Sequence, residues 1–190
     1  MRALIRFPII HGSEDMGGLD ASVNRARTDE EIIKQKAVVT YFWRTIESAI
    51  DGFSLDLYKV KIYQDSLPVC GKEVEIVDDT AKTGSPNYLL LQRLRNKGAT
   101  VIGTESPELL LEEYALMKRV YQADSGQTLP SQALAQSLLD RRDEFIVQRI
   151  NDTLFDGDMG ILFLGMNHRI EGRLPDDIKL IQPLGDLKPK

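Results

Sequence analysis

Residues 160–166 read GILFLGM, and this most apolar strand-like run of the chain decides the fold. A strand with so few polar side chains is typical of a parallel sheet in which helices cover both faces. We therefore expect residues 160–166 to form a central strand, buried on both sides.

Strand-like and helix-like segments alternate along the chain outside this run. Helices are predicted to begin at the capping residues Thr28, Ser85 and Ser131 and at Pro107. Further strands are predicted at residues 2–10, 55–63, 99–103 and 178–184, with a possible small strand at the EVEIV run, residues 73–77. This alternation predicts a single α/β domain over residues 1–190, with a layered, mostly parallel central sheet and helices on both faces.

Two of these strands carry a further expectation about their position. Pro8 lacks the N–H that a ladder hydrogen bond needs, which favours an edge position, a bulge, or a strand that ends near Phe7. The alternating pattern of residues 55–63, LDLYKVKIY, predicts a strand that is half exposed.

Composition and charge exclude several classes of protein. With 42% hydrophobic and 28% charged residues, the chain is typical of a globular protein, and no apolar run reaches the ~18–20 residues of a membrane-spanning helix. The net charge of −5 and the lack of a basic stripe argue against nucleic acid as a partner. The single cysteine, Cys70, and the lack of a leader predict a cytoplasmic protein, and a homo-oligomer is left open.

The two histidines of the chain both follow predicted strands. His11 comes directly after the first strand, His168 after the central one, and Glu105 follows the strand at residues 99–103. Ligands bind outside the carboxyl ends of the strands in open α/β sheets, so these three side chains are candidates for one cleft. A structural role is the alternative, because a histidine after a strand is often a turn residue and an acid is favoured at a helix N-terminus without any function.

Two imidazoles and one carboxylate can hold a divalent transition metal such as Zn, Mn, Fe or Co and leave positions open for water and substrate. Such a metal lowers the pKa of its water and polarises a carbonyl or phosphoryl group, which suits hydrolysis. We predict His11, Glu105 and His168 as the ligands. Glu14 and Asp15, in the loop after His11, are candidates for a further ligand or a general base.

Arg142 lies in a charged run, RRDE, within the last predicted helix. Because it follows Leu138 by four residues and precedes Phe145 by three, it can share the apolar face of the helix and project toward the sheet. An inward arginine needs an anionic partner, and we predict that Arg142 binds or stabilises an anion in the site, with Glu105 as the second catalytic residue.

Residues 141–185, RRDEFIVQRINDTLFDGDMGILFLGMNHRIEGRLPDDIKLIQPLG, resemble the C-terminal signature of the superfamily that contains the TraB, ChaN, erythromycin-esterase-like and TIKI proteins. There an arginine-containing helix leads into an apolar strand that ends in Gly-x-x-His, here Gly165 to His168, and Arg142 matches the helix arginine. The first Gly-x-x-His of that superfamily corresponds to Pro8-Ile9-Ile10-His11, with Pro8 in place of glycine, and Glu105 resembles its glutamate after a middle strand.

The resemblance implies functions that include metal-dependent peptide cleavage, ester hydrolysis and haem binding. Our leading hypothesis is a metal-dependent hydrolase that acts on an ester or peptide bond of a small-molecule or peptide substrate. The alternative is a non-catalytic module that binds haem or an anion in the same cleft. A third possibility is a purely structural or interaction protein.

Overall fold

The computed structural model describes residues 1–10, 28–122 and 131–185, which form five strands and five α-helices. The strands are β1 (Arg2–Ile9), β2 (Val60–Gln64), β3 (Thr100–Ile102), β4 (Met159–Gly165) and β5 (Ile178–Ile181). The helices are α1 (Asp29–Asp51), α2 (Glu73–Lys82), α3 (Pro86–Asn96), α4 (Pro107–Gln122) and α5 (Gln132–Thr153).

All five strands are parallel and lie in the order β3-β2-β4-β1-β5. The apolar run at residues 160–166 thus belongs to the central strand, β4, and the predicted α/β fold with a parallel sheet is confirmed. In the described part of the chain, no helix combines the length and the apolar character needed to cross a bilayer.

Apolar clusters cover both faces of the sheet. On one face, Ile5 and Phe7 of β1 pack in a cluster with residues of α1, α2 and α3. On the other face, Leu4 of β1 packs with residues of α5, including Ile146 and Ile150. Successive residues of a strand point to opposite faces, so the apolar run of β1 supplies both cores.

The helix starts follow the capping signals of the sequence. Thr28 and Glu31 form a reciprocal capping box at the start of α1, in which Thr28 N–H donates to Glu31 Oε2 at 2.8 Å. Ser85 and Ser131 cap α3 and α5 through their hydroxyl oxygens. These local signals need no tertiary context, which is why the sequence predicts them well.

Pro8 lies within β1, opposite Leu164 of β4. On the other side of β1, strand β5 pairs only with residues Arg2 to Ile5. Pro8 therefore lies where β1 is locally the edge of the sheet, and of the three alternatives predicted for it, the edge position is correct.

Two predictions for the middle of the chain are wrong. Residues 55–63 do not form one half-exposed strand, because a short 3-10 helix, Leu57–Lys59, precedes β2, and β2 is buried between β3 and β4. The EVEIV run begins helix α2 instead of a strand. The buried residues of α2, Val77 and Ala81, are four positions apart and share one helix face. The five residues of the EVEIV run are too few to reveal this spacing.

Candidate functional site

Three potential ligands meet at the carboxyl edge of the sheet, each within three residues of the end of a different strand. Asp65 follows β2, Glu105 comes after β3, and His168 comes after β4. One ligand atom from each lies within 4.8 Å of the other two. The residues are 3%, 0% and 5% exposed, respectively. The structure therefore brings together Glu105 and His168, which the sequence predicts, and adds Asp65, which it does not.

Three of the predicted residues lie outside the part of the chain that the structure describes. They are His11, the third predicted metal ligand, and the two acidic candidates after it, Glu14 and Asp15. Their roles stay predictions.

Asp65 is held in place by the strand beside its own. The N–H of Gly165, the last residue of β4, donates to Asp65 Oδ2 at 2.9 Å. A Cβ added at Gly165 would lie 2.9 Å from the same oxygen, closer than real Cβ contacts, so only glycine fits here without a shift. The position of Asp65 after a strand is the one signal that could have revealed it, since the predicted strand at residues 55–63 ends one residue before β2 does and Asp65 follows closely.

Arg142 projects from α5 into this cluster, as predicted, and is buried. Its guanidinium donates to both oxygens of Glu105, from Nε to Oε2 at 2.8 Å and from Nη2 to Oε1 at 2.5 Å. Nη2 also donates to Asp65 Oδ1 at 2.9 Å, and Nη1 forms an ion pair with Glu113 of α4. The anions that Arg142 contacts are thus carboxylates of its own chain, which it fixes in position.

His168 lies between two carboxylates. Its Nδ1 is 2.6 Å from Oδ1 of Asp143, the neighbour of Arg142 on α5, and its Nε2 is 3.6 Å from Asp65 Oδ2. Asp143 is a second residue that the sequence analysis missed, because an acid within the run RRDE is typical of a solvated helix face.

The charged groups perturb each other strongly. Burial raises the pKa of Glu105, and the negative charge of Asp65 adds to this, although the bonds from Arg142 act in the opposite direction. For His168, burial lowers the pKa, but the bond to Asp143 and the charge of Asp65 outweigh it, so the pKa is raised. Burial likewise opposes the charge of Arg142, yet its bonds to Glu105 keep the pKa of the guanidinium above its ordinary value.

His168 also lines an open cleft of about 950 Å³. The cleft lies between β1, the first half of α5 and the loop after β4, and it is lined in part by Arg6, Leu139, Met166 and Arg169. Arg6 fixes this loop, since its Nη2 donates to the His168 carbonyl at 3.2 Å and its Nη1 forms an ion pair with Glu171. Of the buried cluster, His168 lines the cleft, whereas Asp65, Glu105 and Arg142 are not among its lining residues.

Comparison of the chain with protein-family models, curated proteins and solved structures gives no match. The resemblance to the TraB and ChaN superfamily therefore stays a prediction from the quoted motifs. Three residues of these motifs, Glu105, Arg142 and His168, are far apart in the sequence and lie in one buried cluster.

Proposed function

We propose that this chain is a metal-dependent hydrolase of ester or peptide bonds, in which Asp65, Glu105 and His168 hold a divalent ion. The observation that carries the proposal is the placement of His168. Its Nδ1 is engaged by Asp143 while its Nε2 lies 3.6 Å from Asp65 Oδ2. Two nitrogen or oxygen ligands at about 2.0–2.2 Å from a tetrahedral ion are about 3.3–3.6 Å apart, so the separation fits a shared ion.

The charge of the cluster also supports a cation. Three buried carboxylates belong to the cluster: Asp65 and Glu105, which bind the guanidinium of Arg142, and Asp143, which binds His168. Unless the His168 ring takes up a proton, the three carboxylates carry two more negative charges than the guanidinium of Arg142 offsets, and burying such an excess is costly. A divalent ion would neutralise them.

The donor set fits the metals that the sequence analysis names. Imidazole nitrogen and carboxylate oxygen together suit Zn, Mn, Fe or Co. Each carboxylate oxygen has two lone pairs, and Oε2 of Glu105 accepts a single hydrogen bond, from Arg142, among the described residues. Glu105 can therefore serve Arg142 and an ion at the same time.

In this proposal each residue of the cluster has a distinct task. Arg142 holds the Glu105 and Asp65 carboxylates in one fixed arrangement. Glu105 would serve as a ligand of the ion through Oε2, while Arg142 Nη2 and the N–H of Ser66 donate to its Oε1. The bound ion would supply the polarisation of the scissile carbonyl and the lowered pKa of water. The substrate would enter by the cleft that His168 lines.

The experiment is an assay of the metal-loaded protein on a panel of esters and peptides. We expect turnover that a chelator abolishes and that Zn, Mn or Co restores. His168→Ala removes a ligand and Asp65→Asn removes the charge of another, so each should lower turnover by roughly 100-fold, whereas Asp140→Asn, a change on the surface of α5, should not. Turnover that survives both the chelator and the two site variants would contradict the proposal.

The cleft supports a second candidate, a module that binds an anionic ligand without catalysis. Arg6 and Arg169 both line it, although the chain as a whole is acidic. Binding of inorganic phosphate that persists after metal removal, with no turnover on the panel, would favour this candidate, and a Soret band in the purified protein would favour its haem-binding form.

A cytoplasmic setting is also a proposal, supported by the single unpaired cysteine, Cys70.

A further inference from the structure

Asp143 is a buried carboxylate to which the proposed hydrolysis assigns no task. It is 1% exposed and lies beside Arg142 on α5. Its Oδ1 is 2.6 Å from Nδ1 of His168, and its Oδ2 accepts the backbone N–H of Arg169 at 2.8 Å. Both oxygens therefore contact the segment that carries the histidine, one through the ring and the other through the main chain.

We infer that Asp143 is a positioning residue that holds neutral His168 in the tautomer with the proton on Nδ1, so that the Nε2 lone pair faces Asp65 and Glu105. An ionised carboxylate can only accept hydrogen bonds, and a neutral imidazole has one N–H and one lone pair. The contact with Asp143 therefore requires the proton on Nδ1. The value of this tautomer for binding an ion rests on the proposed function, but the tautomer itself does not.

The second oxygen of Asp143 restricts the geometry further. Because the N–H of Arg169 binds Oδ2, the carboxylate is not free to rotate away from the imidazole. Arg6 adds a contact at the His168 carbonyl, so the ring and its backbone are both held. Carboxylates that bind the outer nitrogen of a metal-ligating histidine fix its orientation in this way.

Asp143→Asn is the variant that separates this role from simple packing. The carboxamide has nearly the same shape, but it has one acceptor oxygen for two groups that both donate to Asp143. The N–H of Arg169 can only donate, whereas the imidazole can change tautomer and accept. We therefore expect the amide oxygen to turn to Arg169 and the amide NH₂ to donate to Nδ1, which moves the histidine proton to Nε2.

The test is nitrogen NMR of the metal-free, full-length protein labelled with ¹⁵N-histidine, recorded at alkaline pH, where the ring is neutral. We expect the Nδ1–H tautomer of His168 to dominate in the wild type and the Nε2–H tautomer to dominate in Asp143→Asn. Asp140→Asn is the matched control, because Asp140 lies on the same helix, binds Arg173 on the surface and should leave the tautomer unchanged. A proton on Nε2 in the wild type would overturn the inference, and this measurement needs no variant. An unchanged tautomer in Asp143→Asn would overturn it as well.

A zinc titration of the same proteins separates this inference from the proposed function. If both hold, Asp143→Asn binds Zn²⁺ about 10–100-fold more weakly than the wild type and Asp140→Asn binds it equally well. If the tautomer shifts as expected but the wild type binds no ion, the proposed function fails and the positioning role stands. Equal zinc affinity in the wild type and Asp143→Asn would overturn the claim that Asp143 positions the ligand nitrogen.

Discussion

Replacing Arg142 with methionine should destabilise the protein far more than a surface change. Arg142 is the cation that compensates Glu105 and Asp65, and its guanidinium donates three hydrogen bonds to these two buried carboxylates. Methionine keeps much of the side-chain volume but leaves both acids without this partner. Removing one side of a buried ion pair costs about 3–5 kcal/mol, because the remaining charge stays desolvated. For a chain of this size, this corresponds to a drop in Tm of roughly 10 °C.

The assay is urea unfolding, monitored by the fluorescence of the single tryptophan, Trp43, which is buried against the sheet. Arg141→Met is the matched control, since Arg141 precedes Arg142 but lies on the surface and pairs with Glu112 there. Adding Glu105→Gln to Arg142→Met should recover part of the loss, because the neutral amide needs no cation. A loss below about 1 kcal/mol in Arg142→Met, or an equal loss in the control, would show that Arg142 does not stabilise the two buried carboxylates.

Three further predictions concern the stability of the fold. Burial raises the pKa of Tyr63 to about 12, whereas its pKa in the unfolded chain is near 10. Its neutral phenol therefore adds about 2–3 kcal/mol to the free energy of unfolding below pH 10, and this is lost as the pH rises from 10 to 12. In Tyr63→Phe, urea unfolding measured against pH should show a smaller loss of stability over this range. Gly165→Ala places a Cβ 2.9 Å from Asp65 Oδ2 and should cost about 1–3 kcal/mol of unfolding free energy, and an unchanged urea midpoint would contradict this. Thr28→Ala breaks the capping box with Glu31 and should cost about 0.5–2 kcal/mol, to be checked by thermal unfolding followed by circular dichroism.

The fold could be predicted because its main signals are local. The apolar run of β4, the capping residues and the proline at the start of α3 each act within a few residues of themselves. The EVEIV run was predicted wrongly because so short a run fits either a strand or a helix. In the structure it is helical, with Val77 buried. The limits of β2 depend on its neighbours β3 and β4, which a local pattern does not contain.

The candidate site was predictable only in part, for the same physical reason. Glu105 and His168 were found because parallel strands bring their carboxyl ends to one edge. Asp65 obeys the same rule and follows the predicted strand at residues 55–63 by two residues, as Glu105 follows the strand at residues 99–103, so the same signal was present for it. Asp143 was missed because its burial depends on His168, 25 residues further along, and a charged run in a helix does not reveal which member turns inward. Likewise, the sequence shows that Arg142 needs an anion but not that the anion is Glu105.

A calorimetric titration tests whether Asp65, Glu105 and His168 form a site for a divalent ion. Metal-free wild type and the double variant Asp65→Asn, His168→Ala would each be titrated with Zn²⁺ and Mn²⁺. We expect a single ion per chain in the wild type and no binding at that site in the double variant. No binding in the wild type, or the same affinity and stoichiometry in both proteins, would contradict it.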